Sequence, residues 1–315
     1  MSLIGGLRSR LNSAVGNAMG AYQVRGVDMT EAIARLVEFF TRAGETLGEI
    51  ATSEELKDRL DRIPTHLGPY GVDPFGFDPN YTKTYAGLVS WIYHHYFRVE
   101  TFGVENIPDG RCLVVGNHSG QLPFDGAMIN AAVLLEREPP RYLRSMIERF
   151  VPATPFASAF MARTGQVLGT PENAKRLLGA EEGLLVFPEG VRGLNKEFTK
   201  RYQLQRFGHG FMRLAIETAS PVVPVVVIGA EEQAPNLLSA RGLAKALGVP
   251  AFPIVPQLLP LPAPTKYRIY FGEPMSFDGD PNDEDEIIQR KVGQVRDVME
   301  SLIQRGLNER EHIFW

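Results

Sequence analysis

Residues 114–126 read VVGNHSGQLPFDG, a pattern that predicts a strand, a polar loop and the start of a helix. The apolar run that begins at Cys112 is typical of a buried strand, and the helix is predicted to begin near Asp125. Ligands of open α/β sheets bind outside the carboxyl ends of the strands. His118 therefore lies where such a sheet usually carries its chemistry.

Residues 184–193 read LLVFPEGVRG and have the same form. The apolar run predicts a second buried strand, and Glu189 and Arg192 follow at its carboxyl end. A surface salt bridge in a turn is the alternative interpretation of these two charges. Because parallel strands end at the same edge of a sheet, we interpret the two stretches as the halves of one site.

The chain beyond residue 100 alternates between short apolar runs and helical patterns. This alternation predicts an α/β fold, with a mostly parallel central sheet flanked by helices. The predicted strands are Cys112–Val115, Leu184–Phe187, Val222–Ile228 and Tyr267–Phe271. The predicted helices are Gly126–Leu135, Pro171–Leu178, Phe211–Thr218 and residues 282–304.

The chain before this domain has a different pattern. Apolar residues recur at helical spacing over residues 28–62, and a turn-rich stretch follows at residues 64–79. We therefore predict a helical N-terminal segment at residues 1–80 and an α/β domain at residues 81–315.

The composition excludes several classes of protein. Of the 315 residues, 44% are hydrophobic and 22% are charged, as in soluble globular proteins. The formal net charge of −4 gives no reason to expect a nucleic-acid partner. The single cysteine, Cys112, excludes an internal disulfide and a zinc site built on several cysteines. His94 and His95 have no third ligand at metal spacing, so no metal site is predicted.

Contact with a membrane is predicted to be peripheral. The sequence shows no secretory signal and no run of roughly 18 apolar residues, so we expect no transmembrane helix. The aromatic stretch Tyr85–Val99 is either a helix packed on the core or a helix at the membrane interface. Its polar face carries little Lys or Arg, which weakens the second interpretation.

His118 is the side chain in the first stretch that is best suited to accept a proton near neutral pH. A nearby carboxylate can hold the imidazole in one tautomer and stabilise its charged form, and Asp125 is the candidate. Asp125 could instead cap the following helix, or hold both roles, and a lone histidine could be structural. Ser119 does not lie in the Gly-x-Ser-x-Gly elbow of serine hydrolases.

Together these motifs resemble those of the glycerolipid or lysophospholipid acyltransferases. This family includes enzymes of the 1-acylglycerol-3-phosphate acyltransferase type. The resemblance covers residues 95–275 and rests on three motifs in the family's order. The matches are Asn117, His118 and Asp125 for the first motif, Phe187 to Arg192 with Val191 in place of threonine for the third, and Pro221 to Val225 for the fourth.

The first motif departs from the family pattern in its spacing. Six residues, 119–124, separate His118 from Asp125, where the family has four. A longer loop must therefore return Asp125 to His118 if the same pair is to form. Gly120 and Pro123 are residues that suit an unusual loop.

The second motif departs in its chemistry. In the family it is a glycine with an arginine five residues on, which helps to hold an acceptor phosphate. Here the best match begins at Gly165, and the residue five positions on is Thr170. The loss of the arginine resembles the branch of the family that acylates neutral lipid acceptors. Arg163 or Arg176 could substitute for it.

The resemblance implies an O-acyltransferase of phospholipid or other lipid metabolism. It would move a fatty-acyl group from acyl-CoA or acyl carrier protein, as co-substrate, to a hydroxyl of a lipid alcohol, with no bound cofactor. His118 would act as general base with Asp125 as its partner. The residues assigned to substrate binding are Asn117, Ser119, Glu189, Gly190 and Arg192. The implied location is the cytoplasm, at a peripheral position on the inner membrane face.

Three alternatives to this function are kept. The first is a thioesterase or lipid hydrolase that uses the same His118 and Asp125 with water. The second is a lysophosphatidate acyltransferase proper, with a phosphate-bearing acceptor. The third is a non-catalytic lipid-binding protein of the same fold, against which the intact motif residues argue.

Overall fold

The computed structural model has a seven-stranded sheet with helices on both faces. It describes residues 53–118, 124–148, 157–194, 196–233, 238–239, 253–254 and 262–314. The described strands are β1 (Glu100–Phe102), β2 (Cys112–Gly116), β3 (Arg144–Ile147), β4 (Val167–Leu168), β5 (Gly183–Val186), β6 (Val222–Ile228), β7 (Leu238–Ser239), β8 (Pro253–Ile254) and β9 (Arg268–Phe271).

The strand order in the sheet is β1-β9-β6-β2-β5-β3-β4, and β7 pairs with β8 apart from it. Neighbouring strands of the large sheet are parallel except for β6 and β9. Strands β5, β2 and β6 therefore run side by side in one direction, and their carboxyl ends meet at one edge. The predicted α/β fold with a mostly parallel central sheet is confirmed.

Helices connect and cover these strands. The described helices are α1 (Glu54–Asp61), α2 (Pro79–Trp91), α3 (Phe124–Glu136), α4 (Ala157–Arg163), α5 (Pro171–Gly179), α6 (Val191–Leu194), α7 (Gly210–Thr218), α8 (Ala230–Gln233) and α9 (Asp285–Glu309). The four predicted strands and four predicted helices are all present, and the last helix continues to Glu309 rather than ending at residue 304.

The central strands are buried on both faces, which explains their continuous apolar sequences. Every residue of β2 and β6 is buried. Successive side chains of β2 enter opposite cores, with Val115 packing toward Met212 and Val295, and Val114 packing toward Ile129. The sheet is thereby held rigid under the loops that leave its carboxyl edge.

Strands β1, β3 and β4 were not among the predicted elements. They are two to four residues long and lie toward the edges of the sheet, so they carry little periodic signal. Strand β3 also begins with a charged residue, Arg144, which is 2% exposed. Its guanidinium lies 2.6 Å from the Asp73 carboxylate and donates to the Gly165 carbonyl at 2.9 Å. The ion pair replaces the hydration that burial removes.

The described part of the N-terminal segment packs on the α/β domain. Leu56 and Leu60 of α1 form one cluster with Ala86 of α2 and Leu134 of α3. Most of the helix predicted over residues 28–62 lies outside the described residues. The boundary between residues 80 and 81 stays a prediction.

The aromatic stretch Tyr85–Val99 forms the end of α2 and a π-helical turn, Ile92–Tyr96. Tyr93 and Phe97 are fully buried, as expected for packing on the core, whereas Trp91 is 39% exposed. Within the described ranges, no helix is both long enough and apolar enough to cross a membrane.

Candidate active site

The site is built where β2 and β5 end beside each other. Asn117 follows β2 directly and is fully buried. Its amide oxygen accepts from the Val227 N–H at 2.8 Å, and its amide nitrogen donates to the Val227 carbonyl at 3.3 Å. This side chain continues the pairing of β2 with β6 beyond the last strand residue. The next residue, His118, is therefore held at a fixed point on the edge.

The longer loop does bring Asp125 back to His118. Asp125 lies in the first turn of α3, and its Oδ2 is 2.8 Å from His118 Nδ1. Its Oδ1 accepts from the Gly126 N–H at 2.7 Å. Asp125 thus contacts the imidazole and the start of the helix together. Its side chain is fully buried, whereas that of His118 is 13% exposed, so the imidazole is the part that can meet a substrate.

The imidazole of His118 stacks on the ring of Phe187, with centroids 4.3 Å apart and planes 21° apart. This contact requires glycine at the end of β2, because a Cβ at Gly116 would lie 2.8 Å from the Phe187 ring. The role of Phe187 in holding the histidine was not predicted. The signal that could have shown it is Gly116, a residue without a side chain at the end of a buried apolar strand.

Glu189 is buried below the histidine rather than exposed to the site. Its Oε1 accepts from the backbone N–H of His118 at 3.0 Å, and its Oε2 accepts from that of Gln205 at 2.7 Å. The observed contacts of the carboxylate are therefore with backbone that positions His118. The predicted role of Glu189 in substrate binding stays a prediction. Gly190 continues the turn and donates its N–H to the Phe187 carbonyl at 3.0 Å.

Arg192 lies in the short helix α6 and is exposed. Among the described residues no ion pair engages its guanidinium. Its predicted role in binding an anionic group stays a prediction. Ser119, the remaining predicted site residue, lies outside the described residues.

The two arginines considered as substitutes in the second motif have other contacts. Arg163 lies 2.7 Å from the Asp78 carboxylate and 3.7 Å above the Tyr81 ring. Arg176 lies over the Phe75 ring at 4.9 Å. Their participation in acceptor binding stays a prediction. In the part of the chain that the structure describes, no group of His, Cys, Asp or Glu side chains could hold a metal ion.

Gly193 gives a direct test of how tightly the two motifs fit. A Cβ at this position would lie 2.7 Å from the His118 carbonyl oxygen and 2.9 Å from its Cβ. Gly193→Ala is expected to displace His118 and to lower kcat by about tenfold or more, because small misplacements of catalytic groups are costly. The measurement is steady-state kinetics of acyl transfer, together with thermal unfolding.

Gly293→Ala is the matched control for this substitution. Gly293 lies inside α9, and a Cβ there would meet nothing within 4 Å. This variant is expected to keep wild-type kcat. Equal kinetics for the two alanine variants would show that the contact between Gly193 and His118 does not matter for activity.

The arrangement suits transfer of a proton at one nitrogen. If the Nδ1–H of His118 donates to Asp125, the lone pair of the imidazole is on Nε2. The ring is fixed by Asp125, by Phe187 and through its own backbone by Glu189. An imidazole fixed in this tautomer at the carboxyl edge of a parallel sheet is equipped for general-base catalysis.

Comparison with known proteins agrees with this geometry. A family model described as Acyltransferase matches residues 98–228, the span that contains His118, Asp125 and Glu189. The fold and the paired motifs agree with this match, so the chain carries an acyltransferase domain over these residues. Its relatives include an uncharacterised protein of Mycobacterium tuberculosis, 41% identical over 304 residues, which are 90% of this chain and 85% of that protein.

Two more distant relatives are named for an activity. A chicken protein named a DGAT1/2-independent enzyme synthesizing storage lipids is 29% identical over 189 residues, covering 59% of this chain and 54% of that protein. A Mycoplasma pneumoniae protein named a probable 1-acyl-sn-glycerol-3-phosphate acyltransferase is 27% identical over 157 residues, covering 47% and 56%.

Proposed function

We propose that this protein transfers a fatty-acyl group from an acyl thioester, either acyl-CoA or acyl carrier protein, to a hydroxyl of a lipid acceptor. The observation that carries the proposal is the 2.8 Å contact between His118 Nδ1 and Asp125 Oδ2. It lies at the same edge of the sheet as the Phe187–Arg192 motif of this acyltransferase. The reaction needs no resident cofactor, because the thioester is already activated.

His118 acts as the general base in this mechanism. Its Nε2 takes the proton of the acceptor hydroxyl while the hydroxyl oxygen attacks the carbonyl carbon of the thioester. The buried Asp125 carboxylate stabilises the imidazolium that forms. The tetrahedral intermediate collapses as the carbon–sulfur bond breaks, and the imidazolium returns its proton to the leaving thiolate. The products are an ester and a free thiol, and the neutral histidine is restored.

A neutral lipid alcohol is the acceptor that we favour. Thr170 stands where the family's phosphate-binding arginine is expected. The name of the chicken relative, an enzyme synthesizing storage lipids, supports the same class of acceptor. The second candidate is a lysophosphatidate acceptor. The name of the Mycoplasma relative favours it, as does the exposed Arg192, whose guanidinium suits a phosphate.

We place the reaction at a membrane surface, with the protein in the cytoplasm or peripheral on the inner membrane face. A lipid acceptor resides in the membrane, whereas the thioester donor is carried in water. Two exposed aromatic side chains support a peripheral contact: Trp91 is 39% exposed and Phe160 is 40% exposed.

The proposal is tested with the purified protein, acyl-CoA or acyl carrier protein thioesters, and vesicles that contain diacylglycerol or lysophosphatidate. Thiol release and ester formation are measured together. We expect thiol release to require an acceptor and to match the ester formed, with diacylglycerol preferred. Release without acceptor would instead indicate a thioesterase, and preference for lysophosphatidate would select the second acceptor. No turnover with any pair would overturn the proposal.

A further inference from the structure

A cluster of buried charges lies beside Glu189. Because β6 is parallel to β2, the segment that follows β6 lies at the same edge of the sheet as His118. This segment is helix α8, in which Glu231 and Glu232 are both buried. Lys196, which follows the short helix α6, is 9% exposed and reaches the same cluster.

The ammonium of Lys196 is shared between two carboxylates. Its Nζ lies 2.9 Å from Glu231 Oε1 and 3.8 Å from Glu189 Oε2. The side chains of Lys196, Glu231 and Glu189 are 3%, 7% and 0% exposed, respectively. Water cannot compensate charges at this depth, so the two carboxylates and the ammonium must compensate one another.

The neighbouring Glu232 does not compete for this ammonium. Its carboxylate is 2.8 Å from Arg310 Nη1 and also accepts from the Tyr202 hydroxyl. The Tyr202 oxygen in turn accepts from the Gly229 N–H at 2.8 Å. The charge of Glu232 is therefore balanced by Arg310, and that of Lys196 is left to its own two partners.

Glu231 can change its charge near neutral pH. Burial raises the pKa of Glu231 to about 7, and Glu189 adds to the rise, against the lowering effects of Lys196 and of the Tyr202 backbone. When Glu231 takes up a proton as the pH falls, the ammonium is left with Glu189 alone. The carboxylate that holds the His118 amide thus keeps a positive neighbour on both sides of neutral pH.

We propose that Lys196 is a positioning residue for acyl transfer, whose ammonium holds the Glu189 carboxylate where it accepts from the amides of His118 and Gln205. Glu231 holds Lys196 in place. Without the ammonium, the buried carboxylates of Glu189 and Glu231 would repel each other, and Glu189 would move away from the two amides. His118 would then no longer be fixed. This inference rests on the proposed function.

The test is the pH dependence of kcat in Lys196→Met, with Lys175→Met as the matched control. Lys175 forms an exposed ion pair with Glu217 on the surface, at 2.6 Å. In Lys196→Met two buried carboxylates lose their shared cation. Glu231, whose pKa burial already raises to about 7, then keeps its proton to a higher pH, and once it ionises the two carboxylates repel each other. We expect kcat to fall by about tenfold or more relative to wild type as the pH rises through this range, with KM changed less. The control is expected to keep the wild-type profile.

A double variant, Lys196→Met with Glu231→Gln, removes one charge of each sign. It keeps the net charge of the cluster formed by Lys196, Glu189 and Glu231, and it is the variant to use if the single substitution prevents folding. With the second carboxylate gone, the fall of kcat with rising pH is expected to disappear. A loss of kcat that is equal at every pH, or profiles that superimpose on wild type, would overturn the positioning role.

A readout without turnover separates this inference from the proposed function. The backbone amide proton of His118 donates to Glu189, so its chemical shift reports on that contact. In Lys196→Met we expect this shift to change as the pH rises and Glu231 ionises, whereas in wild type the ammonium remains beside Glu189 and the change is smaller. The same pH dependence in both proteins would overturn the inference even if the enzyme transfers acyl groups. If the wild-type protein showed no transferase activity, the proposed function would be overturned. The pH dependence of the His118 amide shift would then still test the positioning role of Lys196.

Discussion

Replacing His118 by alanine is expected to lower kcat for acyl transfer by about 10²–10⁴-fold, the usual contribution of a general base. The substitution removes the nitrogen that would take the acceptor proton, together with the 2.8 Å contact to Asp125. Binding of the donor depends on other groups, so KM is expected to change less than kcat. The measurement is the rate of ester formation at saturating donor and acceptor. Circular dichroism and thermal unfolding establish that the variant is folded.

The chain offers a matched control for this substitution, because it contains a second histidine beside an aspartate. His209 Nδ1 lies 3.2 Å from the Asp285 carboxylate, whose side chain is 78% exposed, and His209 Nε2 lies 2.8 Å from Gln289. His209→Ala is expected to leave kcat unchanged. A folded His118→Ala protein with the wild-type rate would remove this histidine from the mechanism.

The contact between His118 and Asp125 could be predicted from local patterns. An apolar run marks the end of β2, and the beginning of α3 follows within a few residues, so both sides of the contact are visible in one stretch. The two extra residues in the loop do not prevent it, because Asp125 lies in the first turn of α3. Helix and strand periodicity are local properties, and for that reason they can be recognised in the sequence.

The buried ion pairs of the domain could not be predicted in this way. Lys196 and Glu231 are 35 residues apart, and Arg144 and Asp73 are 71 residues apart. Charged side chains are seldom fully buried, so composition places them on the surface. Only the packing of β3, and of the turns after β5 and β6, brings each charge to its partner. Sequence patterns identify the chemistry of this site but not the buried charges that position it.

Asp125→Asn is expected to be nearly as damaging as loss of the histidine, with kcat lowered by about 10²–10⁴-fold, although it changes few atoms. The reason lies in the two oxygens of Asp125. Oδ1 accepts from the Gly126 N–H at 2.7 Å, so the asparagine would keep its carbonyl oxygen there and turn its amide nitrogen toward His118. The amide nitrogen can only donate a hydrogen bond, so Nδ1 of His118 would have to accept it. The proton of the imidazole would then lie on Nε2, the nitrogen that must receive the acceptor proton.

Asp285→Asn is the matched control, since it makes the same change beside His209 on the surface. This variant is expected to leave kcat unchanged. The folded state of Asp125→Asn should be retained, because the amide keeps the contact with the helix start and fills the same buried space. The measurement is kcat with thermal unfolding for both variants, and nitrogen NMR of the His118 ring to assign its proton. A variant with the proton on Nε2 and an undiminished kcat would show that His118 is not the base. A proton on Nδ1 with a reduced kcat would assign the role of Asp125 to charge stabilisation rather than to the tautomer.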